Sequence, residues 1–118
     1  LIVLDILRTE EDPNIARGRI EPHFIRYNWI HSYPNMAADL YALWYGNGDF
    51  SESMKLLAKS GNDVDCNAGL VGNILGIIRD VPRKWSDPIG DLLETYIKGK
   101  ERLSIRHLAE KTSELAQQ

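Results

Sequence analysis

Two adjoining helical patterns between residues 34 and 61 constrain the fold of this chain most strongly. The first predicts a helix from Pro34, a residue that suits a first turn because its missing N–H is not needed there. Its apolar stripe follows helical spacing and consists of Met36, Ala37, Leu40, Leu43 and Trp44. The glycine-rich sequence GNG at 46–48 is expected to end this helix.

The second helix is predicted to begin directly after that turn. Asp49 is expected to be its N-cap, with Glu52 three residues later as an acidic variant of the capping box. Gly61 is expected to end it. Its predicted buried face consists of Phe50, Met54, Leu57 and Ala58.

Three more helices are predicted toward the C-terminus. One runs from about Cys66 to Arg79 on the apolar stripe Ala68, Val71, Leu75 and Ile78, and its glycines are expected to let another backbone approach: Gly69, Gly72 and Gly76. After the connector VPRKW, Asp87 and Pro88 predict a helix start, with an inward face of Ile89, Leu92, Leu93 and Tyr96. Ser104 predicts the last cap, before a face of Ile105, Leu108, Ala109, Thr112, Leu115 and Ala116.

The remaining segments are less regular. Residues 1–8 are apolar and fit either a helix or a strand, and residues 9–33 predict a loop or short helical turns rich in aromatic residues. Because no segment alternates convincingly between apolar and polar residues, the prediction is an all-α fold.

Composition narrows the class of protein. At 118 residues there is room for one small domain. A net charge of −3 indicates neither a nucleic-acid partner nor an anionic membrane surface, and no apolar stretch is long enough to cross a bilayer. The single cysteine, Cys66, excludes an internal disulfide and fits a cytoplasmic location. The opening LIVLDILRTEED does not resemble a signal peptide, and we expect it to be the middle of a longer polypeptide.

Asp63 and Asp65 are the strongest candidates for chemistry. The simpler interpretation is structural, with Asp65 capping the following helix and Asp63 in the loop before it. The alternative is a site for a hard divalent cation, which prefers oxygen ligands. An EF-hand is excluded, since Ala68 stands at the glycine position and Ile74 at the final glutamate position.

Other residue types give weaker signals. The three histidines are His23, His31 and His107, and they lack zinc-ligand spacing. His31 lies just before a predicted helix, where a capping or packing role competes with a functional one. Cys66 has no base placed beside it in the sequence, which argues against a nucleophile.

Several motifs taken together resemble the C-terminal part of the ADP-ribosylglycohydrolase family. They are, in order, GDF at 48–50, GNDVDC at 61–66, the glycine- and alanine-rich helix at 67–78 and VPRKW at 81–85. The resemblance covers residues 28–86, about half of the chain. It implies a multi-helix orthogonal bundle, of which residues 1–118 would be a C-terminal fragment.

The resemblance also implies a function. The family removes ADP-ribose from modified proteins or related ADP-ribose compounds and uses two divalent cations, Mg²⁺ or Mn²⁺. Asp63, Asp65 and Cys66 would be the metal ligands on this chain, although a thiol is a softer ligand than the hydroxyl of a threonine. His31 and Asn62 are the candidates for substrate binding. The remaining ligands would come from acidic motifs in a missing N-terminal part, so this chain would carry half of the site and be inactive alone. No catalytic residue is assigned.

Two other classes of protein stay open. A non-catalytic binding or scaffold protein would keep the fold without the chemistry, and Cys66 is the residue that allows this. A helical interaction module would use Asp65 only as a helix cap.

Overall fold

A computed structural model describes residues 1–117 and confirms the all-α fold class. The helices are α1 (Ile2–Thr9), α2 (Pro13–Ile20), α3 (Ser32–Gly46), α4 (Phe50–Ser60), α5 (Val64–Ile78), α6 (Arg83–Ser86) and α7 (Ile105–Ala116). Single 3₁₀ turns occupy Glu21–His23 and Asp87–Ile89, and two short strands are β1 (Leu92–Glu94) and β2 (Arg102–Ser104). Within the described residues, no helix is both long enough and apolar enough to span a bilayer. The chain divides into two compact units, Leu1–Val81 and Pro82–Gln118.

The first unit is built around α3, α4 and α5, with α1 and α2 packed on α3. The ambiguous first segment is a helix, and it contributes Ile6 and Leu7 to the core. The stretch predicted as loop or short turns contains α2, whose first turn is capped by the Asp12 carboxylate accepting from the N–H groups of Asn14 and Ile15.

The predicted ends of α3 and α4 are confirmed. Asn47 adopts a left-handed conformation directly after α3. The Asp49 carboxylate accepts a hydrogen bond from the Glu52 N–H at 2.8 Å, which caps α4. Gly61 ends α4 with φ of +70°, a conformation that costs glycine little.

The predicted apolar stripe of α3 is wrong in part. Met36 and Trp44 are 59% and 46% exposed, while the buried face consists of Ala37, Ala38, Tyr41 and Ala42. The small alanine side chains allow neighbouring helices to approach closely. The helix therefore packs by this face, although its side chains are mostly smaller than those of the predicted stripe.

Two other predicted faces need correction. Ala58 on α4 and Ile78 on α5 are exposed, whereas Leu56 and Ser53 are buried. The prediction that the glycines of α5 let another backbone approach is not met: the neighbours of Gly72 are the side chains of Phe50 and Met54, at an ordinary contact distance of 3.8–3.9 Å from an ideal Cβ position. Gly69 has no such neighbour within 4 Å.

The second unit differs from the prediction. The helix expected from Asp87 is only a 3₁₀ turn, followed by β1, which pairs antiparallel with β2. Gly90 and Asp91 are both left-handed, with φ of +62° and +59°, so the helical path cannot continue through them. Ser104 caps α7 as predicted, since its hydroxyl accepts from the His107 N–H. However, the expected inward face of α7 is not buried, nor is any other described residue from 82 to 117.

Candidate metal centre

The candidate site lies on the short loop between α4 and α5. Gly61 and Asn62 are both left-handed, with φ of +70° and +62°, and they turn the chain into α5. Asp63 is the N-cap residue, and α5 begins at Val64, two residues earlier than predicted. Asp65 therefore lies in the first turn of the helix, and its predicted capping role is wrong.

Three of the predicted ligands come together at this helix start. The ligand atoms of Asp63, Asp65 and Cys66 all lie within 4.8 Å of one another. Asp63 is half-buried, and the other two residues are exposed. The Asp63 side chain makes no capping hydrogen bond to the helix, so the local backbone does not fix its carboxylate.

Hydrogen bonds within the cluster shift the pKa values of Asp65 and Cys66. A hydrogen bond between the side chains of Asp63 and Asp65 lowers the pKa of Asp65, and the backbone N–H groups of Cys66 and Asp65 lower it further. The hydrogen bond from Cys66 to Asp63, together with the negative charge there, raises the pKa of the Cys66 thiol. Asp65 is thus a ready carboxylate ligand, whereas the thiolate form of Cys66 is disfavoured.

The donor chemistry fits a hard divalent cation through the two carboxylates. Mg²⁺ and Mn²⁺ prefer oxygen, and one or two protein carboxylates commonly hold Mg²⁺. Cys66 fits less well because a protonated thiol is a weak, soft ligand. In the described part of the chain, this is the one group of three or more histidine, cysteine or acidic residues arranged to hold a metal ion.

A buried asparagine beside the loop was missed by the sequence analysis. Asn35 on α3 is 8% exposed, and its Oδ1 accepts hydrogen bonds from the Asp63 N–H at 3.0 Å and from Asn67 Nδ2 at 2.8 Å. Its Nδ2 donates to the carbonyl oxygens of Trp29 and His31. The signal available in the sequence was a pair of asparagines on apolar helix faces, where a polar residue needs partners.

His31, a predicted substrate-binding residue, caps α3. Its Nδ1 accepts from the Tyr33 N–H at 3.2 Å. Its ring lies 4.6 Å from that of Tyr27 and 4.9 Å from that of Tyr33, measured between ring centroids. These contacts match the capping and packing alternative, and the Asn35 side chain links the carbonyl of His31 to the backbone N–H of Asp63.

Asn62, the other predicted substrate-binding residue, borders a cavity of about 490 Å³. The cavity lies between α2, α3 and the end of α4, and its wall is largely apolar and aromatic, including Phe24, Tyr27, Trp29 and Tyr41. Arg17 and Glu21 form an ion pair at 3.1 Å on its wall. Because Asn62 directly precedes Asp63 in the sequence, the cavity borders the loop that carries the candidate ligands.

Comparison with known proteins gives one match. The family model described as ADP-ribosylglycohydrolase matches residues 3–118. No curated protein and no solved structure matches the chain.

Proposed function

The chain belongs to the ADP-ribosylglycohydrolase family, whose members hydrolyse glycosidic bonds, and we propose that it carries half of the divalent-metal site of such an enzyme. The proposed reaction removes ADP-ribose from modified proteins or from related small ADP-ribose compounds. The single observation that carries the proposal is the convergence of Asp63, Asp65 and Cys66 at the exposed start of α5. A family match over nearly the whole chain supports reading that cluster as part of an active site.

In the proposed site, Asp63 and Asp65 hold two cations, Mg²⁺ or Mn²⁺. When bound, such ions supply positive charge that activates a water molecule and stabilises charge on sugar oxygens. The chain's own contribution is to present two carboxylates at the start of one helix, where the hydrogen bonds that lower the pKa of Asp65 favour its ionised form. Cys66 stays in the proposed ligand set as its weakest member, since its thiol pKa is raised.

His31 and Asn62 are proposed to contact the substrate. Asn62 precedes Asp63 and borders the cavity, so a substrate held in that cavity would reach the metal loop. His31 is exposed and carries aromatic neighbours that offer a stacking surface.

The other half of the metal site is proposed to come from a missing N-terminal part of the same polypeptide. By the family pattern, the remaining ligands of a two-cation site lie in acidic motifs that these 118 residues do not contain. We therefore expect the 118-residue chain to be inactive alone. A cytoplasmic location belongs to the same proposal, because a lone cysteine fits a reducing compartment.

Metal titration tests the proposed ligands. Calorimetric titration of Mn²⁺ into the full-length protein is expected to show binding that the variant Asp63→Ala/Asp65→Ala loses by at least about tenfold. The matched control is Asp5→Ala/Asp80→Ala, which removes two exposed aspartates of the same unit and is expected to bind as the wild type does. Equal affinity in all three proteins would refute the assignment.

A non-catalytic scaffold protein is the second candidate, and the protonated Cys66 thiol favours it. Replacing an oxygen ligand by a thiol weakens the affinity for a hard cation. Release of free ADP-ribose from an ADP-ribosylated substrate by the full-length protein would exclude this candidate.

A further inference from the structure

We propose that Asn35 is the positioning residue of the metal loop, fixing the backbone of Asp63 so that the carboxylates of Asp63 and Asp65 stay together at the start of α5. The role in metal binding rests on the proposed function. The control of the loop itself rests on the hydrogen bonds of Asn35 alone.

The Asn35 side chain uses its full hydrogen-bonding capacity. Oδ1 accepts from Asp63 N at 3.0 Å and from Asn67 Nδ2 at 2.8 Å, and Nδ2 donates to Trp29 O at 2.8 Å and to His31 O at 2.9 Å. An amide has two acceptor lone pairs and two donor hydrogens, so all four positions are occupied.

These partners also determine which way the amide points. Trp29 and His31 offer carbonyl oxygens, which need a donor, and the Asp63 N–H needs an acceptor. The opposite orientation would set the NH₂ group against the Asp63 N–H and the amide oxygen against two carbonyls. An aspartate would keep the acceptor and lose both donors. Asparagine is therefore the side chain that satisfies every partner.

Asp63 needs this support because its own side chain forms no capping hydrogen bond to the backbone of α5. Asp63 follows the left-handed Asn62. Its backbone N–H is bound by Asn35 from a different helix, across 28 positions of the sequence. Without Asn35, this part-buried N–H loses its acceptor, which disfavours the observed loop conformation.

The same amide couples the loop to the segment that carries His31. Asn35 joins the carbonyls of Trp29 and His31 to the backbone of Asp63. The segment around His31, proposed to contact the substrate, and the proposed metal ligands therefore share one buried side chain. Asn67, 4% exposed, completes the link from α5.

Amide hydrogen exchange of the metal-free full-length protein tests the control of the loop. In Asn35→Ala, the Asp63 amide is expected to exchange at least about tenfold faster than in the wild type, because its acceptor is gone. Asn67→Ala leaves that acceptor in place, and the Asp63 exchange rate should stay within about threefold. The control Asn73→Ala changes an exposed asparagine of α5 and should have no effect. An unchanged Asp63 rate in Asn35→Ala would overturn the proposal.

Mn²⁺ affinity tests the consequence for the metal. Residues that orient ligands typically change affinity by about 10–100-fold, and Asn35→Ala should show a loss in this range while Asn73→Ala does not. If the wild type binds no Mn²⁺, the proposed function fails, yet the exchange rates still decide whether Asn35 controls the loop. Faster exchange together with unchanged Mn²⁺ affinity would overturn the positioning role.

A second variant covers the case in which Asn35→Ala does not fold. Asn35→Asp keeps an acceptor for the Asp63 N–H and loses the donors to Trp29 and His31. Protection of Asp63 should therefore be retained in this variant while the exchange of residues 29–33 accelerates. Loss of Asp63 protection in Asn35→Asp would overturn the proposal.

Discussion

The two units of this chain carry similar apolar helical patterns but use them differently. In residues 1–81, α3, α4 and α5 pack together, and α1 and α2 pack on α3. These five helices bury fourteen hydrophobic residues. In residues 82–117, α7 has an amphipathic pattern of comparable quality, yet none of the described residues is buried. An amphipathic pattern thus indicates which face of a helix can be buried, whereas burial itself requires a second surface to pack against.

The largest expected difference between the units is the effect of deleting a leucine side chain. Leu57 on α4 is 1% exposed and Leu115 on α7 is 68% exposed. Leu57→Ala should lower the free energy of unfolding by about 2–5 kcal/mol, while Leu115→Ala should change it by no more than about 0.5 kcal/mol. Urea denaturation followed by circular dichroism measures both. Equal effects of the two substitutions would contradict this difference between the units.

A glycine at the end of α3 tests how tightly the first unit packs. An ideal Cβ on Gly46 would lie 3.1 Å from Ser53 Cα and would also collide with the Ser53 side chain. Gly46→Ala should therefore destabilise the protein by about 1–3 kcal/mol. Gly69→Ala on α5 meets nothing within 4 Å and should stabilise it by about 0.5–1 kcal/mol. Thermal unfolding of the two variants should shift in opposite directions, and a shift in the same direction would contradict this packing.

Asp39 gives the core of the first unit a pH dependence. It is 7% exposed, its Oδ1 has no hydrogen-bond partner among the described residues, and burial raises its pKa to about 6. Because the folded state holds the proton more tightly, stability from this group falls as the pH rises from about 4 to about 6.

Asp39→Asn removes that charge and should stabilise the protein at pH 7 by about 1–2 kcal/mol. The gain should vanish near pH 4, where the wild-type carboxyl is protonated. Urea denaturation of both proteins across this pH range measures the difference, and a constant difference at all pH values would contradict the raised pKa.

The smallest expected effects come from the helix caps, one in each unit. Asp49→Ala and Ser104→Ala each remove a capping hydrogen bond, to Glu52 N and His107 N, and should each cost about 1 kcal/mol. The cost at Asp49 should appear in global unfolding. The cost at Ser104 should appear as faster amide exchange confined to α7. A lower free energy of unfolding of residues 1–81, or faster exchange across both units, in Ser104→Ala would show that they unfold together.

The candidate site was only partly predictable. Asp63 and Asp65 were identified because carboxylates one residue apart before a helix suggest oxygen ligands, and the family motif around them is local in sequence. Asn35 was not identified, because its four hydrogen bonds depend on α3 lying against the loop and against residues 29–31. His31 is a candidate from its residue type, but a lone histidine in a sequence does not indicate which of its atoms forms hydrogen bonds.

Local sequence patterns are enough to predict the all-α class, the caps at Asp49 and Ser104, and the helix ends at Asn47 and Gly61. Each of these depends on interactions within a few residues, which local patterns record. Two other features depend on tertiary packing: α3 packs by its alanines while Trp44 stays exposed, and residues 92–104 form a hairpin instead of a helix. Packing also places Asn35 Oδ1 where it accepts a hydrogen bond from the Asp63 N–H, 28 positions away in the sequence. These features depend on which surfaces meet, and no single helix pattern contains that information.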